Sequence, residues 1–453
     1  MNKSRTSGLL MSLGVTASML LSACDTGSAA VNTAIPAAAT EAVGAANTAM
    51  PAAATAVVQA ATAVGGAMMD GGTVKIAVDL PVGGAEGANG IPTRQGIQLA
   101  IDQANTAGGV MLDGKAYKIQ MFFLDDVPPG EQAHNPAQGS KNADSFIADA
   151  DVMAMVGPFN SNVARSMMAK LNTAGLASIS PSNTAIDLTN PNDPKIKDLR
   201  PTDKITYFRV CTTDAIQGPV AADYAYDKLG KKAVYILDDT EVYGKGIADQ
   251  FEKEFKAKGG TVLGRDGVPK GTTDFSSIMS KVAATKPDVL FYGGTQSNGI
   301  PLARKAMASA GMKIPLMGGD GIVESGYTKA AGADAEGDYG TVAAVNANLL
   351  PEAKSFIDAY GAAYKSDQWQ GVPQAYSANG YEAANIIIAA MKTAGKKDRE
   401  AVRAAIAATK DFKGVLGTTS FDAQGDTTNR WISIYEVKGG EWTYIDQQKF
   451  EAK

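Results

Sequence analysis

From residue 73 onward the chain alternates short apolar runs with longer amphipathic ones. TVKIAVDL at 73–80 reads as a buried strand; the Gly-rich PVGGAEGANG follows as a turn, and a helical pattern covers 91–105. Further strands are predicted at 117–124 and 152–157, with helix-length segments at 143–148 and 163–173. The same grammar restarts with strands at 233–237, 262–264, 289–292 and 315–317, separated by helices at 246–258, 275–285 and 300–310. Strands spaced by helices imply crossover units and a parallel sheet covered on both faces. Two such series predict an α/β protein with two doubly wound, Rossmann-like lobes.

In both series the strand carboxyl ends carry small polar residues: GPFNSN at 157–162, SPSNT at 180–184, DDTEVYG at 238–244, GGTQSNG at 293–299 and GGDG at 318–321. Ligands of open α/β sheets bind at those ends. If the lobes face each other, all five loops converge on one cleft.

The first seventy residues follow a different pattern. Lys3 and Arg5 precede GLLMSLGVTASMLLSAC, in which an apolar stretch ends in small residues, the grammar of a secretory signal at 1–23. Leu21-Ser22-Ala23-Cys24 resembles a bacterial lipobox, which implies that Cys24 is lipidated and becomes the mature N-terminus. Residues 24–72 are rich in Ala, Thr and Pro, repeat NTAIPAAAT as NTAMPAAAT, and carry only Asp25, Glu41 and Asp70 as charges. Such a segment has little to pack with and reads as a disordered tether, spanning on the order of 40 Å as a flexible coil.

Composition narrows the chemistry. The 453 residues hold 42 Lys+Arg against 47 Asp+Glu, a net charge of −5, too mild for a polyanion-binding surface, so nucleic acid is not expected as a partner. One His and two Cys leave too few ligands for most zinc or iron–sulfur sites, and no cofactor is expected. The phosphate-cradle, nucleophile-elbow and zinc-protease motifs are missing, and the glycine spacing of GGAEGANG and GGDGIV suits no phosphate. His134, in EQAHNPAQG, reads as a surface-loop histidine, and Cys211 as a small buried residue with no disulfide partner. The neighbours Asp125-Asp126 and Asp238-Asp239 form no ready dyad, because adjacent strand residues face opposite ways. Binding without catalysis is the expectation; a hydrolase would need a base–nucleophile pair that the sequence does not offer.

The order and spacing of GPFNS, ISPSNT, DDTEVYGKG, DFSSIMSKVAATKPDVLFYGG and MGGDG, after a lipobox and tether, resemble the branched-chain (leucine/isoleucine/valine) amino acid family of periplasmic substrate-binding proteins of ABC importers. The resemblance covers essentially all of 73–453. It implies the type I periplasmic binding fold, with lobe 1 at 73–211 plus 342–418, lobe 2 at 212–341 plus 419–453, and hinge crossings near Cys211, Thr341 and Thr419. It also implies an extracytoplasmic, lipid-anchored monomer that closes on a small-molecule ligand and meets a permease and ATPase.

Residue by residue, the resemblance puts the ligand α-carboxylate on Ser161, Asn183 and Thr184, the α-ammonium on Asp320, and a second-lobe aromatic contact on Tyr243. N-capping and turn chemistry are the ordinary alternatives for Ser161, Thr184 and Asp320. Asn160 stands where some members carry a disulfide-bonded Cys. Asn89 and Gln296 stand where leucine binders place aromatics, and Phe159 keeps one apolar wall. These departures point to a polar or smaller ligand side chain than leucine, leaving branched-chain, polar and acidic amino acids open. An amide- or urea-type solute binder, or a ligand-sensing receptor with the same lobes, is the alternative.

Overall fold

A computed structural model describes residues 69–450. The signal at 1–23, Cys24 and the tether up to residue 68 lie outside the described residues.

The first sheet holds β1 (Asp70–Leu80), β2 (Val110–Leu112), β3 (Lys115–Asp125), β4 (Val152–Val156), β5 (Ser178–Ser180) and β6 (Tyr207–Arg209), in the order β2-β3-β1-β4-β5-β6. Its pairings are parallel except at the β2 edge, which is antiparallel to β3. The two-residue period of β1 sorts its side chains. Val74, Ile76 and Val78 join a core with Ile97 and Ile101 of helix Gly87–Thr106 and with Ile386 and Ile387 of helix Ser377–Ala394. Ala77 faces the other layer, with Phe146, Val163 and Met167 of helices Pro136–Ala148 and Ser161–Thr173.

The second sheet is built from β7 (Ala233–Asp238), β8 (Thr261–Gly267), β9 (Val289–Gly293), β10 (Leu316–Gly318) and β11 (Tyr339–Val342). A small hairpin, β12 (Phe412–Gly414) and β13 (Gly417–Thr419), precedes β14 (Arg430–Lys438) and β15 (Glu441–Phe450), which complete the order β15-β14-β11-β10-β9-β7-β8. Here too β7 alternates: Val234 and Ile236 pack with Ile247 and Phe251, while Tyr235 and Leu237 pack with Met279, Ala303 and Met307. The chain passes to the second sheet after β6, returns after β11 for helices that include Ser377–Ala394, and passes again at β14. These three passages, with one doubly wound sheet on each side, are the type I periplasmic binding architecture.

Three local differences from the sequence reading have physical reasons. β1 begins at Asp70, because Asp70 and Gly72 already pair with Ala116 and Tyr117 of β3. The first helix begins at Gly87, inside the stretch read as a turn, so Asn89 sits in its first turn. The three-residue strand β2 and the antiparallel ribbon β14–β15 lie outside the strands that the pattern predicts. Three-residue strands have too little periodicity, and their support comes from neighbouring strands.

Candidate functional site

The five polar loops do end up together. A cavity of about 30 Å³ is lined by Phe159, Asn160, Ser161, Asn162 and Ser182 from the first-sheet side and by Glu241, Tyr243, Thr295, Asp320 and Gly321 from the second, with His134. A groove of about 630 Å³ also lies between the lobes, around Trp369, Trp442 and Glu324, but none of the five strand-end loops lines it.

On the first-lobe side, the GPFNS loop leaves β4 through Gly157, whose φ of +116° and approach to the Asp79 carbonyl exclude a side chain. Ser161 opens helix Ser161–Thr173, after Asn160 at the N-cap position, which makes no side-chain cap bond. The start of the helix, Asn160 to Asn162, thus lies at the cavity wall. The Asn160 Oδ1 and the Thr184 hydroxyl are buried without hydrogen-bond partners. Asn183 is committed to structure: its amide donates to the Phe159 carbonyl and accepts from the Tyr207 hydroxyl at 2.9 Å. Ser182 donates to the same Phe159 carbonyl at 2.8 Å, so the SPSNT loop is pinned to the GPFNS loop. Beneath it lies Arg209, fully buried, whose guanidinium donates to the Asn183 and Ala185 carbonyls at 2.9 and 2.8 Å and to Asp426 at 2.6 Å. Cys211 is buried as expected, and its thiol donates to the Asn183 carbonyl.

On the second-lobe side, Asp320 is 7% exposed and accepts from Gln217 at 2.9 Å, Tyr243 at 3.0 Å and, across the cleft, Tyr376 at 2.9 Å. A Cβ at Gly319 would sit 2.3 Å from the Tyr243 hydroxyl, so the glycine beside the carboxylate is what lets the ring reach it. Burial pushes the Asp320 carboxyl up, and the three donors pull the other way. Among the described residues, no cation pairs with it. Asp214, also fully buried, is raised by burial and then by the charge of Asp320. Phe159 meets Tyr376 edge to face at 5.4 Å and supplies the apolar wall.

Thus Ser161, Phe159, Tyr243 and Asp320 line one cavity, while Asn183 and Thr184 stand directly behind it. Asn89 and Gln296 do not line it: Asn89 is buried in its helix, and the Gln296 amide donates to the Ala85 carbonyl of the opposite lobe at 2.7 Å.

The reading of His134 as a surface histidine is overturned. It is 1% exposed, with Nδ1 at 2.8 Å from Glu86 and Nε2 at 3.0 Å from Glu241. Its two partners lie 48 and 107 residues away in sequence, so no local pattern could show them. The carboxylate neighbours form no dyads with each other, as read. Asp238 pairs with Arg265, while Asp239 accepts from the Thr295 and Glu241 N–H groups and from Asn298, joining two cleft loops. Asp126, however, meets Asp79 from the adjacent strand, and burial pushes both carboxyls up. Gln217 and Tyr376, which hold Asp320, were not legible as site residues because they come from helix starts remote from the five loops.

Comparison with known proteins shows the family and the fold. Residues 73–441 match the family model described as periplasmic binding protein. The chain is 30% identical over 377 residues to Leu/Ile/Val-binding protein homolog 1 of Brucella suis, covering 83% of this chain and 94% of that one. Among solved structures, it resembles the leucine-binding protein LivK of Thermotoga maritima, with a TM-score of 0.71 and 26% identity over 83% of this chain and 98% of that one. It also resembles LivJ of Streptococcus pneumoniae, solved with isoleucine, with a TM-score of 0.70 and 27% identity over 84% and 100% of the two chains. The chain belongs to the periplasmic binding protein family.

Proposed function

We propose that the chain is the extracytoplasmic solute receptor of an ABC importer, and that it traps an amino acid between its lobes. The observation that carries this reading is Asp320, a buried carboxylate that three neutral donors orient and no cation among the described residues neutralises. A carboxylate in that state lacks only its counter-ion, and an α-ammonium group supplies it. The ligand carboxylate goes to the start of helix Ser161–Thr173, where Ser161, the Thr184 hydroxyl and free N–H groups satisfy an anion without a buried Lys or Arg. Tyr243 and Phe159 close the cavity around the Cα end. Relatives named for leucine, isoleucine and valine support an amino acid, while the polar lining supports a short or polar side chain.

Lobes at 73–211 with 342–418 and at 212–341 with 419–453 would close as a hinge near Cys211, Thr341 and Thr419. A ligand touching both lobes selects the closed form by its differential contacts, and the permease and ATPase read that form. The receptor works as a monomer tethered to the membrane through lipid on Cys24. Among the described residues no helix is long and apolar enough to cross a membrane.

A thermal-shift screen of the protein with the twenty amino acids, short amides and urea tests the reading, because a ligand at a hundred times its Kd stabilises by about 2.7 kcal/mol. A shift with at least one amino acid is expected; a shift with amides or urea alone would replace the ligand class, and none at all would refute it. For the anchor, Cys24→Ser is expected to move the protein from the membrane fraction to the soluble fraction and to abolish labelling by radioactive palmitate. Unchanged membrane association of the variant would refute the lipid.

A further inference from the structure

Four polar contacts cross between the lobes around one residue cluster. His134 Nε2 meets Glu241 at 3.0 Å, Lys270 Nζ donates to the His134 carbonyl at 2.7 Å, Gln296 donates to the Ala85 carbonyl at 2.7 Å, and the Ser297 hydroxyl donates to Glu86. His134, Ala85 and Glu86 belong to loops after β3 and β1 of the first sheet. Glu241, Lys270, Gln296 and Ser297 belong to loops after β7, β8 and β9 of the second. At the centre is an imidazole with a carboxylate on each nitrogen, an arrangement satisfied only when both nitrogens carry protons.

We propose that His134 is a positioning residue for lobe closure: its protonated ring clasps Glu241 of the second lobe to Glu86 of the first, so that closure and ligand affinity depend on pH. The link to affinity rests on the receptor reading above; the clasp itself does not.

The groups facing the ring set the sign. Burial by itself favours neutral imidazole. The charge of Glu86 and the hydrogen bonds that the ring donates to Glu241 and Glu86 reverse this and hold the ring well above the usual histidine range. Asp126, buried beside them, is itself pushed up by burial and then by Asp79. Lys270 acts on Glu86, Asp239 accepts from the Glu241 N–H, and the charge of Glu86 acts on Glu324. Opening the lobes takes Glu241 away, leaves Glu86 and returns water to the ring; the clasp requires the lost Glu241 carboxylate to outweigh the regained solvation, so that the closed form binds the proton more tightly than the open form. Protonation therefore supports closure in full below the open-form pKa, and the support is lost as pH rises through the closed-form pKa.

Distances between nitroxide labels on Lys141→Cys and Lys253→Cys, exposed positions on the two lobes, read closure directly. In a Cys24→Ser background, with Cys211 buried, only these two sites label. In the free protein the short-distance population is expected to fall between pH 6 and pH 10, and His134→Gln and Glu241→Gln are expected to show no such change. In parallel, calorimetry with isoleucine should show the wild-type Kd rising about tenfold more over this range than that of either variant. The titration of isoleucine's own amino group is common to all three proteins. A pH-independent distance distribution in the wild type, or a wild-type pH response retained by both variants, would overturn the clasp. Failure of isoleucine to bind any of the three would count against that ligand, and the label distances would still decide the clasp.

Discussion

Asp320→Asn is expected to weaken amino acid binding by about 2–5 kcal/mol, roughly thirtyfold to several thousandfold in Kd, while leaving the fold intact. The carboxamide keeps the size of the carboxylate. Its oxygen can still accept from Gln217 and Tyr243, and the Tyr376 hydroxyl can turn to accept from its nitrogen. What disappears is the charge. In a cleft closed to water an ammonium left without its counter-ion is far less favourable than in solvent, so nearly all the cost falls on the bound state. Stability of the free protein should move the other way. Because burial raises the Asp320 carboxyl, the wild type loses stability as pH rises through the range where that group ionises, and the amide removes this penalty. The neighbouring Asp214, raised in part by the Asp320 charge, is relieved as well. Calorimetric titration with the amino acid that gives the largest thermal shift, together with melting of the free variant at pH 5 and pH 8, checks both halves. Unchanged affinity would remove Asp320 from the ligand.

The pattern of the sequence and the chemistry of its loops differ in how far they can be read. Alternation within β1 and β7 is a local property, enforced by the two faces of each sheet, so lobes, crossovers and the loops at the strand ends were legible. Ser161, Phe159, Tyr243 and Asp320 lie on those loops and reach the cavity. Gln296 lies on one of them too, yet its amide is taken by Ala85 across the cleft, a contact that depends on how the lobes meet. His134 is the sharper case. A histidine between polar residues has every local mark of a surface position, and it is buried because Glu86 and Glu241 arrive from other loops to neutralise it. Tyr376 and Gln217 likewise matter through Asp320, a partner 56 and 103 residues away. Sequence shows which residues a loop carries; burial and pairing across the cleft decide what they do.

Arg209→Met is expected to cost on the order of 3–5 kcal/mol of stability, seen as a fall of roughly 5 °C in melting temperature, and to weaken amino acid binding as well. Arg209 is a fully buried cation at the end of β6, and each part of its guanidinium has a partner. Nε meets Asp426, NH1 donates to the carbonyls of Asn183 and Ala185, and NH2 donates to the Thr189 hydroxyl. Methionine fills much of the volume but donates nothing. It leaves Asp426 without its cation, the Ala185 carbonyl without its donor and the Asn183 carbonyl with only the Cys211 thiol. The affected carbonyls flank Thr184, so the damage reaches the carboxylate end of the cavity although Arg209 touches no ligand. Arg209→Lys separates the two effects. A lysine keeps the charge for Asp426 but cannot bridge that carboxylate and both carbonyls with one planar fork, so stability should recover in part while affinity stays reduced. Melting curves and calorimetric titrations of both variants decide the matter. Wild-type affinity in Arg209→Lys would mean that the SPSNT loop holds its shape without the guanidinium.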